Sequence, residues 1–254
     1  MSTQETNLKA IADAIRAKTG ETGTIKASEF ATKIAAIETG AAKPSWTQST
    51  LPVSENWDSV CYGGGKFVAV ASGSNIIAYS IDGVTWNQTT VIASNDWLSV
   101  CYGGGKFVFV PGHSDLGFYS TDGVTWDQTI LPANKSWISV CYGGGKFVAV
   151  VNGGNIAAYS TDGITWTQAT LPVSKNWYSV CYGGGKFVAV AGSSNIAVYS
   201  TDGITWTQAT LPVSKNWYSV CYGGGKFVAV AKGATYATGN DVAAYLKDTF
   251  DSWA

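Results

Sequence analysis

Five cysteines, Cys61, Cys101, Cys141, Cys181 and Cys221, stand forty residues apart along the chain. A thiol can ligate a metal, attack an electrophile or pair with a second thiol. Ligation and attack need His or Cys neighbours at short spacing, and none of the five has them. Pairing needs Cα atoms about 4.4–6.8 Å apart, which equivalent positions of neighbouring repeats rarely offer. The spacing predicts buried free thiols made in a reducing compartment. The single histidine, His113, precedes Ser114 and Asp115. A Ser-His-Asp triad gathers its members from separate segments, so this cluster predicts a solvated loop histidine. Gly63-Gly64-Gly65-Lys66 has the residue types of a phosphate loop but not its spacing, and a strand pattern follows it. It reads as a hairpin turn. No catalytic residue, metal ligand or cofactor is assigned, and the expectation is a non-enzyme.

Charge narrows the partners. Only 13% of the 254 residues are charged, the formal net charge is −1, and Arg16 is the single arginine. Nucleic-acid binding needs clustered Lys and Arg, so no nucleic acid is expected. Enzymes that clamp carboxylates with several arginines are excluded. No apolar run reaches about 18 residues, so no membrane insertion is expected. Residues 1–7 are polar and lack the basic and apolar regions of a secretory signal.

Internal repetition supplies the elements that must position any site. SVCYGGGKFV begins at Ser59, Ser99, Ser139, Ser179 and Ser219, and residues 159–191 are identical to residues 199–231. Each unit of about forty residues divides into four short runs. In the first unit these are Asp58–Tyr62, Phe67–Ala71, Ile76–Ser80 and Val84–Thr89, separated by Gly63–Gly65, Ser72–Asn75 and Asp82-Gly83. They are rich in Val, Ile, Phe, Tyr, Trp and Thr and too short for helices. The fold class predicted is all-β: a five-bladed β-propeller over 45–254, about 40 residues per four-stranded blade, with a short N-terminal α-helical segment over 1–40. Trp46-Thr47-Gln48 matches a fourth strand without a blade of its own, so the strand at 46–49 is expected to close the ring. The rival for that place is Phe250–Trp253.

Residues 7–39 differ in composition. Leu8, Ile11, Ala12 and Ile15 have amphipathic helical spacing, and a second helix is expected from Ser28, with Phe30, Ile34 and Ile37 on one face. Two such helices have too little core to stand alone, so they read as an attachment or oligomerisation segment.

YSIDGVTW at Tyr79 and its copies at Tyr119, Tyr159 and Tyr199 resemble the Asp-box, or BNR-type, repeat of sialidases and other propellers, one residue shorter than SxDxGxTW. The match covers Ser80, Asp82, Gly83, Thr85 and Trp86, with equivalents at Asp122, Asp162 and Asp202. The resemblance implies a structural turn distant from any active site. Leu8–Ile37 is similar to a segment recurrent in phage and prophage tail-associated proteins, through Ile15–Gly20 and Phe30–Ile34. That similarity implies a virion-tail location, other tail proteins as partners through the N-terminal helices, and compatibility with a homo-oligomer.

In a four-stranded antiparallel blade, successive turns alternate between two rims. The nearly invariant GGGK and DG turns share one rim. The variable second-to-third turns and inter-blade links share the other. Candidate ligand-binding residues on the variable rim are Asn75, Asp115, Asn155 and Asn195 in the turns, Trp57, Trp97, Trp137, Trp177 and Trp217 at the link ends, and Tyr178 and Tyr218 beside them. Amides and aromatic rings together suit a host-surface glycan. The same Trp residues also fit packing between blades, and sequence leaves both readings open. The expectation is a receptor-binding, carbohydrate-recognising propeller. The alternative is a purely structural tail or baseplate component.

Overall fold

The computed structural model describes residues 9, 11–17, 22, 24–26, 29–30, 46–232 and 243–247. The chain divides into two compact units, residues 1–48 and 49–254. In the first, helix α1 spans residues 11–17. Its apolar stripe buries Ala12 and Ile15 against Ile25 and Phe30. Ile11, expected on that stripe, is exposed. Lys9 pairs with Asp13 at 2.8 Å, and Asp13 also meets Arg16. Leu8, Ser28, Ile34 and Ile37 lie outside the described residues, and with them most of the second expected helix.

The second unit is built from antiparallel meanders. The first repeat gives β1 (Asn56–Gly63), β2 (Lys66–Ser72), β3 (Ser74–Ser80) and β4 (Asn87–Asn95). The second gives β5 (Trp97–Gly103), β6 (Lys106–Pro111), β7 (Ser114–Ser120) and β8 (Asp127–Lys135). Next come β9 (Trp137–Gly143), β10 (Lys146–Ser160), β11 (Thr167–Gly183), β12 (Lys186–Ala191), β13 (Ser194–Ser200) and β14 (Thr207–Lys215). The array ends with β15 (Trp217–Gly223), β16 (Lys226–Ala231) and β17 (Ala243–Lys247). The FVAV run is continuously apolar because the second strand of each inner repeat is covered on both faces: Val148, Ala149 and Val150 have no exposed surface. Gly64 and Gly65 turn the first hairpin at φ 52° and 79°, which a residue with a Cβ adopts only under strain.

Five separate blades are not what forms. Among the described residues the strands make four hydrogen-bonded sheets, of four, four, six and three strands. The difference arises at one residue pair, beside which the second and third strands of repeat three also run on as the single strand β10. Asn176 pairs with Asn152 in the β10–β11 ladder, so strand continues through the Pro172 link into the next repeat. At the matching residues Asp96, Ser136 and Asn216 the strand is interrupted. Repeats three and four therefore share the six-stranded sheet β14-β13-β12-β11-β10-β9. The fifth repeat contributes three described strands.

Two further expectations change. The fourth strand of repeat one starts at Asn87, not Val84, because the N–H groups of Val84 and Thr85 are bound to Asp82 Oδ1. Residues 46–50 have no strand conformation, where a closing strand was expected. Ser49 instead donates its hydroxyl to the Val84 carbonyl of repeat one at 2.7 Å. Residues 250–253 lie outside the described residues.

First strands of successive repeats lie side by side, as shown by the Ser59 Oγ that accepts the Val100 N–H at 3.1 Å. The cysteines sit on these strands as free thiols. Cys61, Cys101, Cys141 and Cys181 are half-buried rather than fully buried, and Cys221 is exposed. Desolvation pushes Cys61 up to about 12, and it also raises Cys101 and Cys141, where neighbouring thiols add to it. Nothing lowers these thiols toward a reactive thiolate.

Candidate functional site

The meander order puts the GGGK and SxDG turns on one rim and the second-to-third turns and links on the other. Four backbone bonds stitch the variable rim together: Gly112 N–H to Asp96 O, Asn152 to Ser136, Gly192 to Asn176 and Lys232 to Asn216, at 2.6–2.9 Å.

On the constant rim, the Ser80 hydroxyl accepts the N–H groups of Asp82 and Gly83 and donates to Asp82 Oδ1 at 2.9 Å. Ser120, Ser160 and Ser200 repeat the pattern with Asp122, Asp162 and Asp202. These carboxylates serve the backbone. The Thr85 N–H foremost, then those of Val84 and the Ser80 hydroxyl, hold Asp82 down to about 2. Burial alone would raise Asp122, yet Thr125, Val124 and Ser120 also bring it to about 2. A depressed carboxylate stabilises the fold fully above its unfolded value of about 3.9, and that stabilisation is lost as pH falls toward about 2. Thermal melting should therefore drop between roughly pH 4 and pH 2. In Asp122→Ala the neutral-pH stability should fall by about 1 kcal/mol, with a shallower acid dependence and unchanged ligand binding.

On the variable rim, Trp97, Trp137, Trp177 and Trp217 are 0% exposed. Their indole N–H groups donate to the carbonyls of Ser74, Ala133, Gly154 and Val213. They are core residues between repeats and offer no ring face to a ligand. Trp57 is half-buried. Asn75 is half-buried, with its amide donated to Val91 O at 3.3 Å. Asp115 is half-buried, and Asn155 and Asn195 are exposed. His113 is exposed, 3.6 Å from Asp96. Among the described residues no group of three His, Cys, Asp or Glu side chains could hold a metal.

The register brings forward a set of residues that sequence reasoning only half found. Each first strand carries a bulge between its Trp and the following Ser, at Trp57/Ser59, Trp97/Ser99, Trp177/Ser179 and Trp217/Ser219. In the third repeat the same slip lies opposite Val150/Val151. The bulged residues are Asp58, Leu98, Ile138, Tyr178 and Tyr218. An extra residue in a strand escapes the ladder and can be re-aimed, which is why bulges recur at functional rims. The signal in the sequence is one variable residue between an invariant Trp and an invariant SVCYG.

The richest part of this set joins repeats four and five. Tyr178 and Tyr218 stack at 5.2 Å between ring centroids, with 30° between planes. Tyr218 is 50% exposed, and the Lys232 ammonium lies 5.3 Å from its ring centre. Gly192 makes room here: an added Cβ would collide with the Tyr178 ring and Asn216 Oδ1. Two rings, an amide and an ammonium thus meet at one rim.

The fold and its repeats define the class: the chain is a β-propeller protein. No family model matches it, and no curated protein does. Solved structures share the fold. A catalytically inactive virginiamycin B lyase from Staphylococcus aureus with quinupristin aligns at TM-score 0.68 and 13% identity, over 84% of this chain and 77% of that one. A streptogramin B lyase aligns at 0.65 and 12%, over 78% and 71%. YCF48 bound to D1 peptide aligns at 0.59 and 17%, over 80% and 67%. Likeness at this identity shows the fold alone. It also corrects the expectation of a non-enzyme: two of these neighbours are lyases, so this fold does not exclude catalysis.

Proposed function

We propose that the chain is a recognition module that binds a glycan on its variable rim, with the Tyr178–Tyr218 pair as the stacking platform. The observation that supports this reading most is that pair: two stacked rings on bulged residues, half in solvent, beside Asn216 and Lys232. Aromatic faces pack on the apolar faces of sugars while amides and ammonium groups bond hydroxyls. The similarity of residues 8–37 to tail-associated segments supports a virion tail as the setting and a host surface as the source of the glycan. A structural role in such a tail is the second reading, favoured by the exposed Val60 of the first repeat and Val228 and Val230 of the last.

Glycan-array screening of the full chain, followed by titration of the best binder, tests the first reading. Tyr178→Ala combined with Tyr218→Ala should weaken binding at least tenfold, about 1.4 kcal/mol, with little change in melting. Full retention of binding in that variant, or the absence of any glycan ligand, would move the assignment to the structural reading.

A further inference from the structure

The packing between repeats recurs four times and leaves half of a fifth contact at each end of the array. In the first contact, Cys61, Val68, Val70 and Ile77 of repeat one meet Trp97, Val100, Phe107 and Phe109 of repeat two. Equivalent residues build the other three. Two details complete each contact. A serine hydroxyl accepts the N–H of a valine one repeat on: Ser59 and Val100, Ser99 and Val140, Ser139 and Val180, Ser179 and Val220, at 3.1–3.2 Å. A tyrosine ring covers the glycine at the end of the preceding repeat's first strand: Tyr102 over Gly63, Tyr142 over Gly103, Tyr182 over Gly143 and Tyr222 over Gly183.

Among the described residues, the outer faces of the first and last repeats lack the partner that the inner faces have. Val60 is 60% exposed, whereas Val100, Val140, Val180 and Val220 are 4–6% exposed. Val228 and Val230 of the last repeat are 36% and 47% exposed, whereas Val68 and Val70 are fully buried. Among the described residues nothing lies within 4 Å of a Cβ placed on Gly223. The Trp57 indole N–H is buried without an acceptor. Its equivalents Trp97 and Trp177 donate to Ser74 and Gly154 of the preceding repeat, and Trp137 and Trp217 donate to Ala133 and Val213, four residues upstream of each. A groove of about 360 Å³ lined by Leu51, Trp57, Val60, Ala69 and Trp86 marks the place where a preceding repeat would pack.

We propose that the two faces are the halves of one head-to-tail interface between copies of this chain. The occupant is a second copy because the chain carries both partners of a contact it already makes four times. The last face offers Cys221, Val228 and Val230, the same types as Cys181, Val188 and Val190, which pack on the repeat that follows them. The first face offers Trp57, Val60, Tyr62, Phe67 and Ala69, the same types as Trp177, Val180, Tyr182, Phe187 and Ala189. Docking lets Ser219 Oγ accept the Val60 N–H of the next copy and lays Tyr62 over Gly223. A heterologous contact of this kind closes into a ring where its rotation allows and otherwise runs on as a filament.

Sedimentation of the full chain over a wide concentration range tests this. The wild type should assemble as concentration rises. Val60→Asp and Val230→Asp should each be folded monomers, with self-association weakened at least 100-fold. Mixed in equal amounts they should form a dimer and nothing larger, because each retains the face the other has lost. Cys221 should become slow to react with a thiol reagent as the wild type assembles. A monomeric wild type overturns the proposal, whether Cys221 is reactive or is protected by closure of the chain on itself. Assembly that survives Val60→Asp also overturns it and points to the N-terminal segment.

Discussion

Gly143→Ala is expected to destabilise the propeller by about 1–3 kcal/mol, while Gly223→Ala, at the same place in its own repeat, should cost almost nothing. Both glycines end a first strand, and neither has a positive φ. Backbone conformation therefore accepts alanine at both. A Cβ on Gly143 would collide with the Tyr182 ring, whose position is fixed by the packed face of repeat four. The ring cannot retreat without opening the sheet contact. At Gly223 the Cβ meets nothing within 4 Å among the described residues. Alanine there also restricts the unfolded chain, a gain of up to about 0.5–1 kcal/mol. Denaturant midpoints, measured at dilution and with equal slopes, give the comparison. Equal losses would mean that the last face is covered within the monomer. If copies associate head to tail, Gly223→Ala should spare stability at dilution and weaken assembly at high concentration.

The repeat made most of the fold legible. Glycine punctuation and β-rich runs placed the first three strands of repeat one within a few residues, because each local pattern has one inexpensive backbone solution. The boundary between sheets was not legible. It depends on whether Asn176 pairs with Asn152, which is a matter of register between segments rather than of residue type. Closure of the array was not legible either, because it depends on the angle accumulated over all repeats. Local chemistry in Trp46-Thr47-Gln48 says nothing about that angle. At the site, the identities of the rim residues were readable but their burial was not. An indole suits a sugar face and a packed core equally well, and only the neighbouring sheet decides between them. The bulge was hidden for the same reason as the sheet boundary: it exists only relative to a partner strand.

Trp177→Ala should be the most damaging single change at the rim, costing about 3–5 kcal/mol. The indole has no exposed surface and sits in the cluster that joins repeats three and four, with Val148, Val150, Phe187 and Leu171. Its N–H donates to Gly154 O at 3.1 Å, so truncation also leaves that carbonyl without its donor. Its neighbour in sequence should behave in the opposite way. Tyr178→Ala removes a ring that stacks on Tyr218 at the surface, and stability should fall by less than about 1 kcal/mol. Trp177→Phe separates packing from recognition, because it keeps most of the apolar volume and loses the hydrogen bond. Its expected cost is about 1–2 kcal/mol, with ligand affinity unchanged. The same substitution at Trp57, which is half-buried with an unpartnered N–H, should cost less than at Trp177. Lost binding with intact melting in Trp177→Phe would put the indole against the ligand. Together, unchanged binding in Trp177→Phe and lost binding in the Tyr178–Tyr218 double variant would confine recognition to the bulged residues. The tryptophans would then be the anchors that hold each bulge in place.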